Sequence, residues 1–352
     1  VKGCREPFAL SQLYSHPAPS LFLRSHRHLT SPTRSRSRIM TKCVLLIEGT
    51  RGDCQPYIAL SLRLLQVGFQ VRVLTNSNHE AFVKGFGLDC AGVFSDSEEL
   101  LMRTDFREGM RTGDVFQFIK AAEAYAEDHF LETFQQVWRA LEACRPDLLL
   151  YGGVPWFTAK AWSEAHGVPA MPVYLQLNVP TGDSPPCGLP TMPLACMNLM
   201  LWRIVTNCCM NTINKNRAIA EDWLRSYNGG DAAIRVLPGF SANAILQDYA
   251  NPNEPMIFGV SAKVTGRSQE CGDKHITTGW FVLDEVQQLD RVGAGDAQFG
   301  GSKEAGLEGL EAFLEKGPKP VYLGWGSMIA ITPEHMATLA VQALRQAGRR
   351  GI

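Results

Sequence analysis

Residues 43–56 read Cys43-Val44-Leu45-Leu46-Ile47-Glu48-Gly49-Thr50-Arg51-Gly52-Asp53-Cys54-Gln55-Pro56, and this stretch sets the fold class. Cys43 to Ile47 is an apolar run of strand length, ended by the polar, glycine-bearing Glu48 to Asp53. Pro56 follows, and its fixed φ and missing donor suit a position near a helix start. Tyr57, Ile58, Leu60, Leu62, Leu64 and Leu65 then come at helical density. Gly68 stops that helix, and Val71 to Leu74 gives a second strand. A strand, loop, helix and strand in this order make a parallel, right-handed unit.

The alternation continues along the chain. Asp114 to Ala143 reads as one long amphipathic helix, with Phe116, Ile119, Tyr125, Phe130, Phe134, Val137 and Leu141 as its apolar positions. Asp147 to Leu150 is apolar on both faces, as a central parallel strand should be. Pro155 to His166 is helical, Ala170 to Leu175 is a strand, and Leu177 to Pro193 is a proline-rich loop. Leu199 to Tyr227 is helical again, followed by a strand at Ile234 to Leu237. The expected class is therefore α/β, with a doubly wound parallel sheet over residues 40–285. Gly293, Gly295, Gly300, Gly301 and Gly306 give residues 286–306 the composition of a flexible linker. Within 307–352, Leu307 to Glu315 is helical, Val321 to Leu323 is an apolar strand, and a turn at Gly324 leads to a helix over Pro333 to Gln346. That is the first β-α unit of a second Rossmann-like domain. One such unit cannot bury its own sheet, so this second domain is expected to be incomplete.

Composition narrows the function classes. The chain of 352 residues is 45% hydrophobic and 20% charged, with a net charge of −1. No basic stripe marks a nucleic-acid partner. The ten cysteines are scattered without a C-x-x-C pair, so the common zinc spacings are absent and free thiols in a reducing, cytoplasmic setting are expected. Met197 to Met210 is broken by Arg203 and Asn207 and is too short to span a membrane. Residues 1–39 are rich in Ser, Arg and His, with Glu6 as their only acid. They read either as an organelle-type leader or as sequence upstream of a start at Met40. Arg24, Arg27, Arg34, Arg36 and Arg38 would also suit peripheral contact with anionic lipid.

The chemistry concentrates in Gly49-Thr50-Arg51-Gly52-Asp53. Ligands of open parallel sheets bind outside the carboxyl ends of the strands, which is where this loop falls. Gly49 and Gly52 permit tight turns. Two readings of Asp53 are open: an N-cap of the following helix, or an ionised carboxylate that accepts a proton from an incoming hydroxyl. The loop is not a phosphate cradle. No Lys-Ser or Lys-Thr follows the glycines, and the G-x-G-x-x-G spacing fails.

With these residues the chain resembles the sterol 3-β-glucosyltransferases, whose N-terminal signature is Gly-Thr-Arg-Gly-Asp-x-Gln-Pro after the first strand. Three further stretches are similar to the family in the right order. They are Met256 to Ser261, Thr278 to Asp284, and Pro320-Val321-Tyr322-Leu323-Gly324-Trp325-Gly326-Ser327-Met328. The resemblance implies a two-domain GT-B fold with its active site between the domains. It implies inverting, metal-free and cofactor-free transfer from a nucleotide-sugar donor, UDP-glucose, to a sterol or other lipid acceptor. It makes Asp53 the general base, places Gly49, Thr50, Arg51 and Gly52 in the acceptor-side loop, and sets Gly326 and Ser327 beneath the donor diphosphate. The chain departs from the pattern at Phe69, where the family has His, and at Cys54, where a small apolar residue is usual. The family's His-Gly-Gly-x-Gly-Thr donor segment does not occur before Ile352. The expectation is therefore a chain that lacks most of the donor half and is inactive alone.

Two alternatives accompany this reading. One is a non-catalytic fragment that binds lipid in the acceptor cleft. The other is a ribokinase-like sugar kinase, suggested by Gly293-Ala294-Gly295-Asp296, although no apolar strand leads into that motif. Among the histidines, His79, His129, His166, His275 and His335 form no i, i+4 pair, and only His79 follows a strand end facing the cleft. Trp156, Phe157, Tyr174 and the loop from Pro180 to Pro193 are candidates for lining an apolar acceptor pocket.

Overall fold

In the computed structural model the described residues are 40–186, 189–227, 241–266, 268–296, 299, 307–326 and 332–352. The leader at 1–39, the strand expected at Ile234 to Leu237 and part of the linker lie outside them.

The first strand, β1 (Lys42–Leu46), lies inside the sheet, between β2 (Gln70–Asn76) and β4 (Leu148–Tyr151). All pairings are parallel, with Leu45 opposite Val73 on one side and Leu150 on the other. The sheet is completed by β3 (Asp89–Phe94), β5 (Ala170–Tyr174), β6 (Met256–Phe258) and β7 (His275–Thr277), in the order β3-β2-β1-β4-β5-β6-β7. The order reverses between β1 and β4, which creates a crevice at their carboxyl ends.

Both faces of this sheet are covered, which explains why its strands read as continuous apolar runs rather than alternating ones. Side chains still alternate by face along β1. Val44 and Leu46 join a cluster with Phe134, Trp138, Leu141, Phe157, Trp162 and Leu224. Those residues come from α5 (Val115–Cys144), α6 (Trp156–His166) and α7 (Ala195–Tyr227). Cys43, Leu45 and Ile47 point the other way, toward Tyr57, Ile58, Phe82 and Val83. These belong to α1 (Arg51–Gln66) and α2 (Glu80–Lys84).

The long helix begins where its capping chemistry dictates. Asp114 accepts from the backbone N–H groups of Phe116 and Gln117, both at 3.0 Å, and Arg145 ends the helix in a left-handed conformation. Other elements were not legible as such. β3 carries Asp89, Cys90, Ala91 and Gly92, a poor strand sequence by itself. It forms because β2 pairs with it and because the Glu80 carboxylate accepts from the Gly92 N–H at 2.9 Å. The short helices α3 (Ser97–Met102) and α4 (Thr104–Thr112) precede α5, and α8 (Ala242–Ala250) and α9 (Ala262–Thr265) flank β6.

Two stretches differ from expectation. The linker composition at 286–306 opens on α10 (Glu285–Gly293), because Asp284 and Gln287 form a capping box at its start. Val321 to Leu323, expected as a strand, makes a single parallel bridge from Val321 to Gly351. α11 (Leu307–Glu315) and α12 (Pro333–Gln346) form as read.

Leu45 is wholly buried in β1, so Leu45→Ala removes a side chain that the packed layers cannot replace. A loss of about 2–5 kcal/mol is expected, read as a lowered urea midpoint with an unchanged slope.

Candidate functional site

The turn from β1 into α1 is built from its own side chains. Thr50 is the N-cap, and its hydroxyl accepts from the Gly52 N–H at 3.2 Å. Asp53 stands three residues later and closes a capping box, its Oδ2 accepting from the Thr50 N–H at 2.7 Å and the Thr50 hydroxyl at 3.1 Å. The N-cap reading of Asp53 is thereby corrected: Thr50 has that role, and Asp53 braces it. Gly49 precedes the cap at φ +145°, and a side chain there would collide with the Asp53 carboxyl. Its N–H donates to Asn76 Oδ1 at 2.8 Å, and Asn76 in turn donates to the Ser95 carbonyl at 2.7 Å. The ends of β1, β2 and β3 are therefore tied to the turn by one asparagine.

His79, the one histidine read as near the cleft, is buried beside this network. Its Nε2 lies 3.2 Å from the Ser97 hydroxyl, and it also bonds the Gly49 backbone. Burial holds its pKa below the ordinary value, against smaller opposing pulls from the Gly49 bond and nearby acids.

Two cavities flank the turn. The first, of about 360 Å³, has Glu48 and Gly49 in one wall and Phe94, Tyr125, Phe130, Phe134, Trp156 and Phe157 in others. The second, of about 700 Å³, is lined by Arg51, Gly52, Gln55 and Pro56 together with Phe281 to Leu283, Trp325 and Gly326. The structure thus brings Arg51, Gly52 and Gly326 to one cleft and Gly49 to the other. Ser327 lies outside the described residues. Of the aromatic candidates, Trp156 and Phe157 line the smaller cavity. Tyr174 does not; it is buried elsewhere, with its hydroxyl 2.9 Å from that of Tyr249. The described residues of the segment from Pro180 to Pro193 are also absent from that wall.

Sequence reasoning passed over Glu48, treating it only as the end of the strand. Its carboxyl is partly buried in the wall of the smaller cavity, and among the described residues none bonds to it. Burial pushes its pKa up to about 7. An acid breaking an apolar run beside two glycines was the one available signal.

The Gly293 to Asp296 motif has a structural task. Asp296 accepts from Arg291 Nε at 2.9 Å and Nη2 at 2.6 Å, while Arg291 also donates to the Gly85 carbonyl at 2.6 Å. Phe299 packs on Phe82 and Phe86, and the Arg51 guanidinium lies 4.8 Å from the Phe82 and Phe299 ring centres. These contacts fasten the segment after β7 onto α1 and α2. Among the described residues no group of three or more His, Cys, Asp or Glu side chains is placed to hold a metal ion. No described helix is long and apolar enough to cross a membrane.

The Glu48 environment has a consequence for stability. Its folded pKa of about 7 lies above the ordinary 4.5, so the folded chain keeps a proton that the unfolded chain loses. Stability contributed by this group is present below about pH 4.5 and declines as pH rises to about 7. Glu48→Gln should therefore stabilise the fold at pH 8, on the order of 2–3 kcal/mol, and add nothing at pH 4. Denaturant titrations at the two pH values check this.

No family model matches the chain. Similarity to individual proteins is clear. A sterol 3-beta-glucosyltransferase of Emericella nidulans is 24% identical over 331 residues, covering 88% of this chain and 20% of its own length. One from Komagataella phaffii is 23% identical, covering 94% of this chain and 25% of its own length. In Arabidopsis thaliana, sterol 3-beta-glucosyltransferase UGT80B1 is 24% identical, covering 93% and 49%. Among solved structures, the glycotransferase of kitacinnamycin superposes with a TM-score of 0.45 at 16% identity, covering 70% of this chain and 52% of that one. The calicheamicin glycosyltransferase gives 0.41 at 12%, covering 68% and 51%. By sequence, this chain is similar to sterol 3-beta-glucosyltransferases over most of its own length and over half or less of theirs.

Proposed function

We propose that these residues form the acceptor side of an inverting, GT-B-type transfer of glucose from UDP-glucose to the hydroxyl of a sterol or similar lipid. The observation that carries the reading is the 360 Å³ cavity at the strand-order reversal. Its walls are largely apolar and aromatic, and it adjoins a turn that bears two carboxylates. Its volume falls in the range of small-molecule sites, about 300–1,000 Å³. Sequence similarity to sterol 3-beta-glucosyltransferases supports the substrate class.

In this reading the acceptor's ring system occupies the cavity between α5 and α6, and its hydroxyl faces the β1–α1 turn. The hydroxyl oxygen forms a bond to the sugar's anomeric carbon as the bond from that carbon to the diphosphate breaks. UDP leaves with the electron pair. The hydroxyl proton passes late to a carboxylate of the turn, because an ionised carboxylate is too weak a base to remove it beforehand. The motif match gives that role to Asp53. The larger cleft receives the donor, with backbone N–H groups near Gly326 as anion-binding donors. The reaction as proposed needs no metal and no cofactor.

A second reading, sterol binding without transfer, is favoured by one fact. Among the described residues, the smaller cavity is lined from Glu48 to Asn216, with none from the segment around Gly326. Incubating the chain with a fluorescent sterol and with radiolabelled UDP-glucose separates the two. Glucoside formation that falls about a hundredfold in Asp53→Ala supports transfer. Sterol binding without glucoside supports the second reading, and no sterol binding removes both.

A further inference from the structure

Asp53 Oδ2 accepts both bonds from Thr50, and Asp53 is not among the described residues lining either cavity. Glu48 is differently placed. It leaves the carboxyl end of β1 at the point where strand order reverses, and its carboxyl stands in the wall of the aromatic-lined cavity without a bonding partner among the described residues. Glu48 is half-buried, so its carboxyl is open to a ligand's hydrogen-bond donor from the cavity side. Asn216 on α7 lines the same cavity, and its Oδ1 is buried with no partner among the described residues. The site thus presents acceptor oxygens in an apolar surround and asks for a ligand that is apolar in bulk with a hydrogen-bond donor.

We propose that Glu48 is the carboxylate that receives the hydrogen bond of the acceptor's hydroxyl in this cavity. The proposal rests on the cavity being the acceptor site. It adds a carboxylate that binds the hydroxyl to the one that the motif match makes the base. An ionised Glu48 can only accept, so it distinguishes a hydroxyl, which donates, from an ether oxygen, which cannot. A protonated Glu48 can donate to either oxygen and loses that distinction. Burial raises the pKa of Glu48 to about 7, so the change falls within reach of ordinary buffers.

Other titratable groups near the cavity are His129 and Tyr125 from α5 and His79 from the segment after β2. His129 Nδ1 lies 2.9 Å from the Tyr125 carbonyl, and the Tyr125 hydroxyl donates to the Asp96 carbonyl at 2.9 Å. His79 is engaged with Ser97 and Gly49. Asp53 faces the turn from α1. The α6 and α7 residues in the wall carry no titratable side chain.

The test measures displacement of dehydroergosterol from the chain by cholesterol and by cholesterol 3-methyl ether, at pH 8.5 and pH 5.5. The wild-type chain should prefer cholesterol by about tenfold or more at the higher pH, the effect of one hydrogen bond to a charged group. The preference should shrink toward unity at the lower pH. Glu48→Gln, nearly the same in shape, should bind both sterols with little preference at either pH. Circular dichroism confirms that each variant is folded. A preference and pH step that survive in Glu48→Gln overturn the proposal. So does a pattern abolished by Asn216→Leu or His129→Gln instead, or a wild-type chain that binds both sterols equally at pH 8.5. Failure of the wild-type chain to bind either sterol overturns the acceptor reading, and this inference with it.

Discussion

The geometry of this protein depends on the reciprocal hydrogen bonding of Thr50 and Asp53 at the start of α1. A parallel sheet buried on both faces requires each strand to turn sharply into a helix, and those turns carry backbone groups that the core cannot satisfy. Here the capping box satisfies them locally. Gly49 supplies the backbone conformation and the empty space that let the Asp53 carboxyl fold back over the chain. Asn76 then links the turn to the ends of β2 and β3. The site is therefore rigid because its loop is tied to three adjacent strands, and the cavity beside it inherits that rigidity.

The opposite wall of the cavity is made by residues that also form the core. Phe134 is fully buried, with ring contacts to Phe130, Trp138, Phe157 and Trp223, yet it reaches the cavity surface. Phe130 and Phe157 sit edge to face at 5.8 Å and line the same space. Aromatic side chains bring large apolar area with few rotatable bonds, so a wall of this kind keeps its shape when empty. It also lowers the local dielectric, which is why a carboxyl in that wall is harder to ionise than one in water.

The segment after β7 shows how a motif can mislead when it is taken out of its surroundings. Gly293 to Asp296 has the residues of an anion hole and a base. In the fold its aspartate is spent on Arg291, and the adjoining Phe299 covers Arg51 with Phe82. The first half of the expected linker is consequently a capped helix fastened to α1 and α2. Gly259 shows similar logic in the β6 motif: a Cβ there would lie 2.6 Å from the Phe281 ring. The family-like stretches at 256–261 and 278–284 therefore match one another in space.

The parallel α/β class, the order of the main strands and helices, and the turn at Gly49 to Asp53 are all legible in the sequence. Those features rest on local period, capping residues and glycine positions, which act over a few residues. The sequence also placed Trp156 and Phe157 beside a cleft. What it left open depends on partners distant in the chain. β3 is a strand because β2 lies beside it, and Tyr174 leaves the cavity because Tyr249 bonds it. Asp53 became a brace because Gly49 made room, and Arg51 and Gly326 share a cleft across 274 intervening residues only through packing. Above all, Glu48 is an ordinary acid in the sequence. Only the tertiary structure surrounds it with aromatic side chains from α5 and α6, and desolvation by those neighbours gives it chemistry that no local pattern encodes.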